Sequence, residues 1–213
     1  GDHRDLHSFP TRRSPIYKKG DKYLPSNYLP ISLTCVTCKV MEHIHVVTSQ
    51  ITRHLEEKGR LCKRQHGFRK FRSCESQLTE LMCDISEKLD QGKEVDAIFL
   101  DFSKAFDKVD HKKLLLKLDT IGVSSQVIKW VQSLLVGRTQ TVVVDGFESS
   151  SCAVTSGVPQ GSVICPILFL VYINDLPDVV LSKTRLFADD TVIYPTSDNY
   201  EQLQKDLTAL QIW

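Results

Sequence analysis

The sequence has no long hydrophobic run, no cysteine framework, no excess of either charge and no phosphate-binding glycine loop, and each absence removes a class of protein. Its longest apolar stretch, Val163 to Ile173, is interrupted by Pro166 and falls well short of the about 20 residues that span a bilayer. It is expected to form a core helix, and no membrane partner is expected. The chain holds 7 cysteines, an odd number without a signal-peptide pattern ahead of it, which fits a reduced intracellular setting better than a set of disulfides. Cys35, Cys38, His43 and His45 invite a zinc assignment, but the gap from Cys38 to His43 is far shorter than the roughly 12 residues of a finger. Buried thiols account for them more simply. No glycine-rich run leads into Lys followed by Ser or Thr, so an ATPase of the P-loop kind is excluded. Net charge is +1, which decides nothing about a polyanionic partner, because a local basic surface attracts nucleic acid from a near-neutral molecule.

What is present is an ordinary globular composition. At 213 residues with 41% hydrophobic and 25% charged composition, the chain can bury one good core or two packed lobes. Gly1 to Ser14 is polar and aperiodic, its DLHSFPTRRS string resembles translated sequencing-adapter read-through, and it is expected to lie outside the fold. From Ile16 onward there is no linker, repeat or low-complexity tract. Two stretches are lopsided in charge: Arg12 to Lys22 carries five basic residues against Asp21 alone, and Arg60 to Arg72 carries six and no acid. Such runs usually coat a solvated surface. The second also holds Gly67, Phe68 and Phe71, a mixture suited to contacting phosphates and stacking bases.

Periodicity gives the elements. Leu78, Leu81, Met82, Ile85 and Leu89 recur at helical spacing before Gly92, predicting a helix over roughly Glu75 to Asp90. Val95 to Leu100 reads as a short strand that ends on Asp101. Leu114, Leu115, Leu118 and Ile121, then Val127, Ile128, Val131, Leu134 and Leu135, predict two more helices. Thr139 to Val144 alternates into Asp145-Gly146, a hairpin signal, with a return strand near Ser150 to Val154. This mixed order argues an α+β fold.

The chemistry lies in carboxylates. Asp189 and Asp190 fall between two β-rich segments, Thr184 to Phe187 and Thr191 to Tyr194, and so occupy the turn of a tight hairpin. On their own such acids read as solvent-facing turn formers, and Asp101 alone is equally ambiguous. Together, three carboxylates arriving from two strand termini repel one another without cations. A pair of divalent ions about 3.5 to 4 Å apart held by such oxygens can clamp the attacking and leaving oxygens of a phosphoryl transfer.

Here a resemblance becomes specific. Phe99-Leu100-Asp101-Phe102-Ser103-Lys104-Ala105-Phe106-Asp107 resembles the first catalytic motif of non-LTR (LINE-type) retrotransposon reverse transcriptases. In order along the chain, Asn27-Tyr28-Leu29-Pro30-Ile31-Ser32-Leu33 and Gln65-His66-Gly67-Phe68-Arg69 resemble two motifs of the fingers. Ser156-Gly157-Val158-Pro159-Gln160-Gly161-Ser162 resembles the palm loop, and Phe187-Ala188-Asp189-Asp190 the catalytic hairpin. The similarity runs from about Ile16 to the last residue. Group II intron and telomerase-type polymerases share the motif order, but AFDKVDH, SGVPQGSV and LFADDT look closer to non-LTR elements.

The resemblance implies a right-hand polymerase palm, an antiparallel sheet packed on helices, with a fingers subdomain and the thumb missing. Behind the leader 1–14, it implies a fingers-like region over 15–92 and a palm over 93–213 with fingers elements interleaved. It implies an RNA-directed DNA polymerase that adds deoxynucleotides to a DNA primer on an RNA template with two Mg²⁺ ions, Mn²⁺ being the alternative, and nuclear work during integration. Carried over by position, Asp101, Asp189 and Asp190 hold the metals, Asp190 being the weakest of the three, with the Phe102 carbonyl assisting. Phe106 rejects a 2′-hydroxyl, Gln160 and Gly161 lie beside the nucleotide, and Arg69 reaches its triphosphate. Lys63, Arg64, Lys70 and Arg72 contact nucleic acid. Asp107, Asp110 and Asp175 take structural positions.

Two departures support a rival expectation, an inactive transposon relic that at most binds nucleic acid. Leu29 stands where the family usually has a phosphate-binding arginine, and one lost charge-assisted contact of about 1.5 to 3 kcal/mol weakens nucleotide binding roughly ten- to a hundredfold. The chain also stops at Trp213, inside what resembles the helix after the catalytic hairpin, so processive synthesis is expected to need more chain than this.

Overall fold

The computed structural model of the chain describes residues 11–33, 47–195 and 200–213. They form two compact units, each assembled from two separate stretches: 1–54 with 106–168, and 55–105 with 169–213. Cys35, Cys38, His43 and His45 lie outside the described residues. No helix among the described residues is long and apolar enough to cross a membrane.

The first unit is built on a mixed sheet. β1 (Thr11–Tyr17) pairs antiparallel with β2 (Tyr28–Leu33) and parallel with β4 (Thr139–Val144). β4 in turn pairs antiparallel with β5 (Phe147–Glu148) and β6 (Cys152–Ala153). Thr11 to Ser14 therefore belong to the fold, a correction to the leader expected through Ser14. An isolated polar segment shows no periodicity, yet here it pairs on both sides, and Arg13, 8% exposed, forms an ion pair with Asp107 at 3.0 Å. The Asp145-Gly146 hairpin forms as predicted, both residues at positive φ as a tight turn of this kind requires.

Helices α1 (Val47–Glu57), α3 (His111–Thr120) and α4 (Ser125–Leu135) accompany this sheet in sequence. Leu114, Leu118, Val131 and Leu135 are fully buried, on the faces that their spacing predicts. Asp110 caps α3, its Oδ1 accepting from the Lys113 amide at 2.7 Å, so both Asp107 and Asp110 hold structure as expected. Helix α5 (Cys165–Ile173) is the buried helix foreseen in the apolar run from Val163. Ser162 closes a turn on the Pro159 carbonyl at 3.0 Å.

The second unit carries an antiparallel sheet ordered β3 (Ile98–Leu100), β8 (Asp190–Tyr194), β7 (Lys183–Phe187). Helix α2 (Cys74–Asp90) lies against it, with Leu81 packed in a cluster with Val192 and Tyr194 and flanked by Ile85, Val95 and Ala97. Its start is fixed by a capping box between Ser73 and Ser76, which satisfies amides that the first turn cannot. Leu78, Met82 and Leu89 stay exposed, so the apolar stripe on this helix is wider than the sheet covers. The strand is shorter than the Val95 to Leu100 expected, because Val95 and Ala97 pack without joining the ladder. Helix α6 (Tyr200–Ile212) is tied to the start of β7 by Asp206, whose carboxylate accepts from the amides of Leu181 at 2.9 Å and Ser182 at 3.0 Å.

Candidate active site

Strand register places the carboxylates. Leu100 pairs with Thr191 across β3 and β8, so Asp101, the next residue, stands opposite Asp190, the first of β8. Directly opposed residues of an antiparallel pair share a face. Asp101 and Asp190 accordingly line one pocket of about 370 Å³ with Phe99, Phe187, Leu78 and Cys74. Asp189 is the second residue of the two-residue turn between β7 and β8, which Phe187 and Asp190 close, and it lies off that lining. The structure thus brings Asp190, the weakest of the three by resemblance, next to Asp101, and holds Asp189 one residue away at the turn. Among the described residues no group of three His, Cys, Asp or Glu side chains stands ready as a metal cluster. The Phe102 carbonyl accepts from the Ala105 amide at 3.2 Å, which leaves a carbonyl oxygen one lone pair.

The basic residues divide into engaged and free. Arg69 gives Nε to Glu56 Oε1 at 2.9 Å, Nη2 to Glu56 Oε2 and Nη1 to the Cys62 carbonyl at 2.7 Å. This fork holds the Glu56 carboxyl below its usual range. Arg72 donates to the Lys63 carbonyl at 2.6 Å and to His66 Nε2 at 2.9 Å, and Arg64 reaches the Pro177 carbonyl at 3.3 Å. Burial, then the Arg72 charge, lowers the pKa of His66, consistent with a neutral ring whose Nε2 accepts. Lys63 and Lys70 are exposed, as are Phe68 and Phe71. Both phenylalanines have positive φ, 56° and 59°, a conformation bulky residues rarely adopt.

In the first unit, Phe106 is half-buried and its carbonyl accepts from Val158 at 2.9 Å, while Gln160 is half-buried and its carbonyl accepts from Ser32 at 2.9 Å. The glycines of this loop are needed by the protein itself. A Cβ on Gly157 would lie 2.7 Å from the Asp107 carbonyl oxygen, and one on Gly161 would lie 2.9 Å from that of Ser32. Leu29 sits in β2 opposite Ile16.

Sequence reasoning misses a polar network between α2 and the β7–β8 hairpin. Asp84 accepts from Lys183 at 2.6 Å, from Arg185 at 2.6 Å and from Tyr194 at 2.5 Å, and Arg185 also pairs with Glu80. Burial opposes the charge on Asp84, but the hydrogen bonds from Arg185, Lys183 and Tyr194 outweigh it and hold the carboxyl at about 2. Burial and the Asp84 bond push Tyr194 up to about 12. These partners stand about 100 positions apart in sequence, and no local pattern signals them. Gln65 is missed for the same reason. Asp175, expected in a structural position, follows α5 and accepts from Trp213 Nε1 at 3.1 Å.

Known proteins resemble the chain in both sequence and fold. The profile of the family described as reverse transcriptase (RNA-dependent DNA polymerase) matches residues 16–213. The RNA-directed DNA polymerase from mobile element jockey of Drosophila funebris is 31% identical over 93% of this chain and 23% of its own length. A probable RNA-directed DNA polymerase from transposon X-element of Drosophila melanogaster is 34% identical over 84% of the chain and 20% of its own length. The chain therefore spans about a fifth to a quarter of these relatives. Among solved structures, telomerase from Candida albicans in complex with a fragment of telomeric RNA matches with a TM-score of 0.69 at 11% identity, covering 100% of this chain and 41% of that one. Apo telomerase from Candida tropicalis matches at 0.66 and 13%, covering 96% and 47%. At such identities the likeness is one of fold.

Proposed function

The chain belongs to the reverse transcriptase (RNA-dependent DNA polymerase) family, in its LINE-type, non-LTR branch, and on that premise we propose that it is the catalytic part of an RNA-directed DNA polymerase with palm and fingers, working with a thumb. The observation that carries this reading is the register that sets Asp101 opposite Asp190 on one pocket, beside a turn holding Asp189.

The donor set fits a divalent cation. Asp101 and Asp190 offer carboxylate oxygens at the ends of adjacent strands, and Asp189 and the Phe102 carbonyl, one residue along from each, add hard oxygens. Two Mg²⁺ ions are assigned to these residues, with Mn²⁺ as the alternative; when bound, such ions neutralise charge on the oxygens of nucleotidyl transfer. The chain's own residues do the rest. Phe106 rejects a ribose 2′-hydroxyl, Gln160 and Gly161 line the nucleotide, and the exposed Lys63, Lys70, Phe68 and Phe71 contact the RNA template and DNA primer through phosphates and stacked bases. Priming at chromosomal DNA places this work in the nucleus.

One observation favours the relic reading instead: Arg69 is occupied by Glu56 and Leu29 supplies no charge, so neither cation expected at the triphosphate is free. Primer extension decides. With an RNA template, deoxynucleotides and Mg²⁺, the polymerase carrying this chain is expected to extend a DNA primer, and its Asp101→Ala and Asp189→Ala variants are not. Equal incorporation by the variants overturns the assignment. Extension appearing only after Leu29→Arg establishes the relic and names its cause.

A further inference from the structure

The carboxylate turn is held by a side chain outside its own hairpin. Residues 64–67 run along the free edge of β7: the Leu186 amide donates to the Arg64 carbonyl at 3.0 Å, and the His66 amide donates to the Leu186 carbonyl at 2.8 Å. One step further along this edge, at Ala188, side chain replaces backbone. Gln65 Oε1 accepts from the Ala188 amide at 2.8 Å, and Gln65 Nε2 donates to the Ala188 carbonyl at 3.1 Å. A primary amide has the same donor and acceptor pair as a peptide group, so Gln65 forms with Ala188 the ring that a further strand residue would form. Its Oε1 also accepts from the Gly67 amide at 2.8 Å, and Gln65 is 4% exposed.

Two further facts show that this contact is built. Ala188 has φ 55°, a left-handed conformation that is strained for a residue with a Cβ, and it immediately precedes Asp189 and Asp190. A Cβ on Gly67 would lie 2.3 Å from the Ala188 nitrogen, so the close approach depends on glycine at 67.

We propose that Gln65 is a positioning residue: by clamping both backbone polar groups of Ala188 it fixes the turn and so the aim of the Asp189 and Asp190 carboxylates. This rests on the reading of those aspartates as metal ligands. A glutamine that only satisfied buried backbone groups would affect stability and nothing else.

The test uses Mn²⁺ as a paramagnetic probe of the 213-residue chain, with amide exchange followed at Ala188 and Ile193. Gln65→Met keeps length and loses the hydrogen bonds; Gln65→Asn keeps the amide one methylene short. Both are expected to bind Mn²⁺ roughly tenfold more weakly or worse, the size typical of losing a group that orients a ligand. Exchange should quicken at Ala188 and stay slow at Ile193. If Asp189→Ala loses Mn²⁺ while both Gln65 variants bind like wild type, the inference is wrong and the metal reading stands. If Asp189→Ala itself binds like wild type, that reading falls and takes the inference with it.

Discussion

At Asp84 three donors converge on one carboxylate, and its acidity follows from them. The folded carboxyl sits at about 2 against an ordinary 3.8, a depressed value, so the stability it contributes is present above about pH 4 and is lost as pH falls toward 2. Allowing for solvent screening at this partly exposed group, the contribution is about 1 to 2 kcal/mol. Urea unfolding of wild type and Asp84→Asn across pH 2 to 6 should show wild type losing stability over that window, while the variant gives a flatter profile and lower stability at pH 6. A parallel loss in both would remove Asp84 from the account. Tyr194, held at about 12, stays protonated throughout and keeps donating.

Caps and close approaches are features of elements. Asp110→Ala removes the side-chain acceptor at the start of α3 and is expected to cost about 1 kcal/mol, read as a lower denaturation midpoint at unchanged slope. Gly157 and Gly92 both have positive φ, 88° and 72°, but a Cβ at Gly92 meets nothing within 4 Å, whereas one at Gly157 strikes Asp107 backbone. Gly92→Ala should therefore cost about 1 kcal/mol and Gly157→Ala about 2 to 3 kcal/mol or more; equal losses would show that backbone relaxes around Gly157. The same distinction explains what could be read from sequence. Helices α2, α3 and α4 and the Asp145-Gly146 and Asp189 hairpins depend on residues within a few positions of each other, and their periods and turn residues announce them. Thr11 to Ser14 gain their place from β2, from Asp107 and from β4, about 130 residues away. The site was legible to the extent that Asp101 and Asp189-Asp190 end strands. That Asp190 shares the pocket, that Glu56 holds Arg69 and that Gln65 clamps Ala188 all depend on pairings no local pattern encodes.

These 213 residues together are nearly neutral, so any grip they have on nucleic acid is local. Lys63→Gln with Lys70→Gln changes the formal charge from +1 to −1 and removes two exposed cations beside Phe68 and Phe71. For single-stranded RNA, the slope of log affinity against log salt should fall by about 0.7 per lysine lost from a phosphate contact. Filter binding across 50 to 300 mM salt measures it, and an unchanged slope would place the contact elsewhere.

Each compact unit joins stretches separated by a segment of the other, residues 55–105 lying between the halves of one and residues 106–168 between the halves of its counterpart. This interleaving sets a timetable for the ribosome. β1 has no β4 to pair with until residue 144 is made, and β3 waits for β8 until residue 194. Strand edges left waiting in this way are open to wrong partners. The carboxylates come together only when translation has delivered β8, so a ribosome that stalls before then leaves a chain with Asp101 and no pocket around it.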